Sequence, residues 1–125
     1  MSRTVLLLTL ALAVVSGPGS SGQQSRRVIE ITAERFEFWP GEIRVDVGEE
    51  VELRVTSEDT IHGLRIEGTE VNVTVPKRGK GSAVATFRAD VPGRFTFECS
   101  RMCGAGHHFM RGELIVRDPA AGASR

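Results

Sequence analysis

The chain alternates apolar and polar positions in short runs between residues 28 and 116, and turn residues separate these runs. The alternation is clearest at residues 43–47 and 51–55, where every second side chain is apolar. A period of two is typical of a strand with one buried face. No apolar period of 3.6 persists for three helical turns, so the pattern predicts a protein built from strands.

Nine strand-like runs follow from this pattern. They lie at residues 28–33, 36–38, 43–47, 51–55, 61–66, 71–75, 83–87, 95–97 and 114–116. Pro40-Gly41, Gly48 and Pro92-Gly93 mark turns between them. Many short alternating strands at this spacing predict an all-β, antiparallel Greek-key sandwich or barrel. Five phenylalanines are expected in its core: Phe36, Phe38, Phe87, Phe95 and Phe97.

Length and charge narrow the class of protein. A chain of 125 residues is long enough for one domain with a single core. The 16 basic and 16 acidic side chains balance, so no nucleic-acid partner is expected. No serine nucleophile with an oxyanion arrangement accompanies Glu58, Asp59 and His62, so catalysis by the chain alone is not expected.

The first residues predict export. An apolar run at residues 5–15 follows Arg3, and small residues follow the run. A helix over the run would be about 17 Å long, short of the roughly 30 Å hydrocarbon layer. Residues 1–22 are therefore predicted to be a signal peptide or a short membrane anchor, 23–27 a flexible leader, 28–117 the folded domain and 118–125 a flexible tail. The domain is expected outside the cytoplasm, in a periplasm.

The stretch of residues 99–110 carries most of the reactive side chains. It holds both cysteines, two of the three histidines and two of the three methionines, in the order Cys-x3-Cys-x3-His-x2-Met. Thiolate, imidazole and thioether donors together form a soft ligand set that is suited to copper. Gly104 and Gly106 supply the backbone freedom that a loop wrapped around a metal needs. This stretch is therefore predicted to be a metal-binding loop.

His62 is the remaining histidine and lies alone in a predicted strand. A lone strand histidine is more often structural than a ligand, but the 99–110 loop lacks one imidazole for a site of two metals. Gly63 is a small neighbour that would allow another chain segment to approach closely. Asp59 is expected to be a turn residue or a hydrogen-bond partner that orients a ligand.

Three segments carry a family resemblance: residues 57–64 (SEDTIHGL), 68–73 (GTEVNV) and 92–110 (PGRFTFECSRMCGAGHHFM). They closely resemble the copper-A domain of cytochrome c oxidase subunit II. The resemblance implies a cupredoxin-like β-sandwich with a dinuclear copper centre that passes single electrons. The residues that match the family's ligand positions are His62, Cys99, Arg101, Cys103, His107 and Met110.

The resemblance also implies a role for each of these residues. Cys99 and Cys103 would bridge two copper ions, and His62 and His107 would each bind one of them. Met110 and the backbone carbonyl of Arg101 would be weak ligands, and His108 would be exposed. The expected partners are a c-type cytochrome or other electron donor, a haem-copper oxidase core subunit and a copper chaperone that loads the site.

Several other interpretations remain open at this point. A structural disulfide between the two cysteines would leave the histidines and methionines unexplained. The soft ligands would also suit a periplasmic copper-binding or copper-delivery protein that does not cycle electrons. A Cys2His2 zinc site would leave Met110 unused, and a mononuclear blue-copper site would leave one thiolate unused.

Overall fold

The computed structural model describes residues 26–122. The predicted signal or anchor and most of the predicted leader lie outside the described residues. Nine strands fill most of the described chain: β1 (Arg27–Glu34), β2 (Glu37–Trp39), β3 (Glu42–Asp46), β4 (Glu50–Ser57), β5 (His62–Ile66), β6 (Asn72–Val75), β7 (Ser82–Arg88), β8 (Gly93–Glu98) and β9 (Arg111–Arg117). Short 3-10 helices occupy His107–Phe109 and Pro119–Gly122, the latter within the predicted tail. Among the residues described, no helix is long and apolar enough to cross a membrane.

The strands form two sheets. One has the order β2-β1-β4-β7 and the other has the order β3-β9-β8-β5-β6. This nearly all-β, two-sheet architecture confirms the predicted cupredoxin-like sandwich. Two neighbouring pairs, β1 with β4 and β3 with β9, are parallel rather than antiparallel. The chain leaves β1, passes through β2 and then β3 in the other sheet, and returns as β4, and such a crossover allows parallel pairing.

The core lies between the inner faces of the sheets. Alternate residues of β4 point inward, so that Val51, Leu53 and Val55 are at most 1% exposed. Phe38 and Phe97 are buried and meet edge to face, with ring centroids 5.4 Å apart. The other three phenylalanines of the core prediction are only partly buried and pack against its margin: Phe36, Phe87 and Phe95.

One end of the sandwich collects the loops that matter for the site. The strand registers place the β1–β2, β4–β5, β6–β7 and β8–β9 connections together there. A hydrogen bond of 2.6 Å from Arg35 Nε to the Cys103 carbonyl joins the two sheets at this end. Because Cys99 and Cys103 lie here, we call it the cysteine end, and we call the opposite end the far end.

Candidate metal centre

The loop between β8 and β9 is closed at its base. The Cys99 amide donates to the Met110 carbonyl at 3.0 Å, so the hairpin pairing continues one step beyond the two strands. Within the loop, the His107 amide donates to the Gly104 carbonyl at 3.1 Å and begins the short 3-10 helix. The two ends of the loop therefore bring Cys99 and Met110 together, and its tight turn returns His107 to the same point.

The two cysteines are free and buried, with 4% of each exposed. Their Sγ atoms are 3.6 Å apart, whereas a disulfide requires about 2.05 Å. Burial, together with the neighbouring Cys99 thiol, raises the pKa of Cys103 to about 11. Since a metal binds the thiolate, metal binding would have to release a proton from this group.

An imidazole faces each sulfur. His62 Nδ1 lies 3.8 Å from Cys99 Sγ, and His107 Nδ1 lies 3.8 Å from Cys103 Sγ. His62 is completely buried at the start of β5, whereas His107 is half-buried. His108 is exposed, as predicted. Both rings therefore direct their Nδ1 atom toward the sulfur pair.

A weaker donor accompanies each half of the cluster. The Arg101 carbonyl oxygen lies 3.1 Å from Cys99 Sγ, and Met110 Sδ lies 3.8 Å from Cys103 Sγ. Met110 is fully buried. The structure thus brings all six predicted donor residues to one place, where each sulfur has one imidazole and one weak donor beside it.

Asp59 holds the outer nitrogen of His62. Its Oδ1 lies 2.6 Å from His62 Nε2 and accepts from the Thr60 amide at 2.6 Å. Its Oδ2 accepts from the Arg35 amide at 3.0 Å. Burial disfavours the charged carboxylate, but these hydrogen bonds outweigh it and hold the pKa of Asp59 at about 2. The carboxylate therefore stays ionised. Because it holds Nε2 of His62, Nδ1 is the ring nitrogen that faces the sulfurs. Asp59 thus lies where the predicted partner that orients a ligand would lie.

The β1–β2 turn forms a support for the site that the sequence did not reveal. Arg35 bonds Asp59 through its amide and the Cys103 carbonyl through Nε, so it links the His62 segment to the cysteine loop. The ring of Phe36 lies where a Cβ on Gly104 or Gly106 would have to be. The two loop glycines therefore give room to Phe36, although glycines in a sequence do not show which residue approaches them.

Gly63 performs the role that its position predicted. A Cβ on this residue would overlap Ser100 Oγ and would lie 3.1 Å from the amide nitrogens of Ser100 and Arg101. The cysteine loop can approach β5 this closely only because residue 63 has no side chain. This confirms the predicted close approach of another segment beside His62.

The donor set fits copper better than zinc. His62, Cys99 and Cys103 offer three ligand atoms within 4.8 Å of one another, and His107 and Met110 extend the group. A buried thioether is a soft donor that copper accepts, whereas zinc sites use Cys, His and carboxylate ligands. The hydrogen bonds of Asp59 and Arg35 hold the His62 segment and the cysteine loop in place.

Comparison with known proteins agrees with this geometry. The model of the Cupredoxin-like domain family matches residues 4–116. The chain belongs to this family. The chain is similar to cytochrome c oxidase subunit 2 of Thermus thermophilus. The two sequences are 34% identical over 90 residues, which cover 72% of this chain. The chain spans 65% of the length of that relative.

Two solved structures share the fold of this cupredoxin-like protein. A haem-copper terminal oxidase dimer contains a chain with 28% identity and a TM-score of 0.66, over 86% of this chain and 78% of that chain. The periplasmic domain of subunit II of cytochrome oxidase of Bradyrhizobium japonicum has 21% identity and a TM-score of 0.67, over 78% and 88%. The second likeness concerns the fold alone.

Replacement of Asp59 by asparagine is expected to weaken metal binding at His62. Asparagine keeps the size of the side chain but loses the charge that stabilises the His62 imidazole. We expect copper affinity to fall about 10–100-fold, the usual effect of losing a partner that orients a ligand. Competition with a copper chelator measures this. Glu58→Gln is the matched control, because Glu58 is an exposed neighbour whose carboxylate lies near Arg78 rather than His62; equal affinities in the two variants would contradict the role of Asp59.

Proposed function

We propose that this chain is an extracytoplasmic electron-transfer protein that holds two copper ions in a CuA-type centre. The supporting observation is the paired arrangement of the donors, with one imidazole and one weak donor at each of two neighbouring sulfurs. Cys99 and Cys103 would bridge the metals, with His62 and His107 as the other strong ligands. Met110 and the Arg101 carbonyl would be the weak ligands that adjust the potential.

The bound centre would supply one-electron chemistry, with the odd electron shared through two thiolates. The protein's own part is to keep the donors still when the charge changes. Neighbouring strands of one sheet fix His62, at the start of β5, and Cys99, directly after β8. Arg35, from the other sheet, bonds both Asp59, the hydrogen-bond partner of His62, and the Cys103 carbonyl. Burial of both cysteines, His62 and Met110 keeps water away from these four donors.

The wider role rests on the relatives. The Thermus thermophilus relative is a cytochrome c oxidase subunit 2, and the structural neighbour of 28% identity comes from a haem-copper terminal oxidase. We propose that this chain either enters such an oxidase as the subunit that receives electrons or works as a soluble carrier. A c-type cytochrome would be its donor, and a copper chaperone would load it.

The boundaries of the protein are part of this proposal. Residues 1–22 would direct export and then be cleaved or remain as an anchor, and residues 28–117 would form the copper domain. The tail would begin at residue 118. The apolar run at residues 5–15, which follows Arg3, supports the extracytoplasmic location.

Reversible reduction separates electron transfer from copper delivery. We expect the copper-loaded protein to accept one electron per chain from ascorbate and to return it to ferricyanide over repeated cycles without losing metal. The rigid donor set predicts this, because neither oxidation state requires the site to rearrange. Absorbance and copper content after each cycle measure it. Release of copper on the first reduction would contradict the proposal and favour a delivery protein.

A further inference from the structure

Within residues 26–122, the basic side chains that lack an ion pair are concentrated at the cysteine end. Of the 16 lysines and arginines, Arg3 and Arg125 lie outside the described residues, which leaves 14. Ten of these lie within 4 Å of a carboxylate. The four described residues without such a partner are Arg35, Lys77, Lys80 and Arg101. All four belong to loops at the cysteine end.

Three of these four residues lie on two neighbouring loops, together with Arg78. Arg101 donates from Nη1 to Thr74 Oγ1 on β6 at 3.0 Å, and β6 leads directly into the loop that carries Lys77, Arg78 and Lys80. The Arg78 amide donates to the Asp59 carbonyl at 3.1 Å, so this loop lies against the segment that leads to His62. We call Lys77, Arg78, Lys80 and Arg101 the basic flank.

The acidic side chains without an ion pair are distributed differently. Glu67, Glu70 and Asp118 lie at the far end, in the β5–β6 connection and just beyond β9. Glu34 and Glu37 lie at the cysteine end, in the β1–β2 region with Arg35. The chain therefore has no formal net charge but is polarised, with its basic flank at one side of the cysteine end. Such a field orients an approaching charged partner.

Exposed apolar side chains lie on the same loop as Arg101. Met102 is 73% exposed and Phe109 is 83% exposed, and both belong to the loop that holds the sulfur donors. Exposed apolar side chains with charged residues beside them are the usual composition of a transient protein interface. The loop that holds the sulfur donors thus presents an exposed surface suited to brief contact.

We propose that the redox protein that exchanges electrons with this centre docks through an acidic face on the basic flank and through apolar contacts on Met102 and Phe109. This inference rests on the proposed function. An anionic membrane surface fits less well, because Glu34, Glu37 and Glu58 lie at the same end and a uniformly negative plane would meet them too. A protein partner can place its acidic groups opposite the basic flank alone.

A pair of probes with the same haem but opposite charge tests the inference. One probe is mammalian cytochrome c, which is basic, and the other is the same protein with its lysines succinylated. We expect the copper-loaded chain to react about tenfold or more faster with the succinylated form at low ionic strength, and this advantage to vanish at high salt. A faster reaction with the native basic form would overturn the inference.

Charge-reversal variants locate the surface. The double variant K77E/K80E should remove the preference for the succinylated probe, whereas R88E/R117E, which changes net charge equally but at the far end, should keep it. Both pairs of side chains are on the surface, and melting temperatures check that each variant is folded. Equal loss of the preference in both variants would overturn the location, because net charge alone would then account for the rates.

Two further measurements separate the possible outcomes. When the succinylated probe is added to the copper-free protein, amide chemical shifts should change near the basic flank and Met102. This measurement detects binding without electron transfer. Strong binding to vesicles of anionic phospholipid without a response to the succinylated probe would assign the surface to a membrane and overturn the inference. Failure of the copper protein to be reduced by ascorbate would instead contradict the proposed function itself.

Discussion

The Cys103→Ser variant is expected to lose the proposed dinuclear centre and to keep the fold. Serine cannot supply the second thiolate, so at most one copper should bind per chain and the spectrum of an electron shared by two coppers should disappear. The unfolding free energy of the copper-free protein should change by about 1 kcal/mol, because serine is close to cysteine in size and opens little cavity. Copper analysis, electron spin resonance and thermal unfolding measure these effects.

Ser100→Ala provides the control for this variant. Ser100 lies in the same loop, but its hydroxyl is exposed and donates to Asn72 Oδ1 at 2.9 Å rather than facing the sulfur pair. Copper number and spectrum should be unchanged in this variant. If Cys103→Ser bound two coppers with the original spectrum, the bridging role of Cys103 would be wrong.

The Gly112→Ala variant is expected to have the largest effect on stability. A Cβ on Gly112 would overlap the Phe97 ring and would lie 2.7 Å from the Gly41 carbonyl oxygen. Phe97 is only 1% exposed and packs against Phe38, so the ring cannot move away freely. We expect a destabilisation of about 1–3 kcal/mol and a melting temperature lower by about 5–20 °C.

Gly41→Ala is the matched control, since it lies in the turn opposite Gly112. The nearest atom to a Cβ there is the Phe38 carbonyl oxygen at 3.6 Å, an ordinary van der Waals contact. Thermal unfolding of the two variants should therefore differ clearly. A Gly112→Ala protein as stable as Gly41→Ala would show that the core around Phe97 adapts more easily than its packing indicates.

The strands and the donor residues could be predicted because their signals are local. Alternation in residues 43–47 and 51–55 is visible in the sequence, and the observed β3 and β4 lie within one or two residues of these runs. The spacing from Cys99 to Met110 is equally local. His62 is distant in sequence, and its inclusion depended on the family resemblance and on the missing imidazole.

The support around the site could not be predicted in this way. Arg35 and Cys103 are 68 positions apart, and no short pattern relates them. The parallel pairing of β1 with β4 likewise depends on how the chain crosses between sheets rather than on alternation. The basic flank is also a tertiary feature, because Arg101 joins Lys77 and Lys80 only through the contact with Thr74 on β6.

The measurement that tests the central claim most directly is the ratio of copper to protein, determined together with the electron spin resonance spectrum of the oxidised protein. The paired donors predict two coppers per chain and a seven-line hyperfine pattern from one electron shared by two equivalent nuclei. One copper per chain with a four-line pattern would contradict the dinuclear centre, even if both cysteines and His62 were bound to that metal.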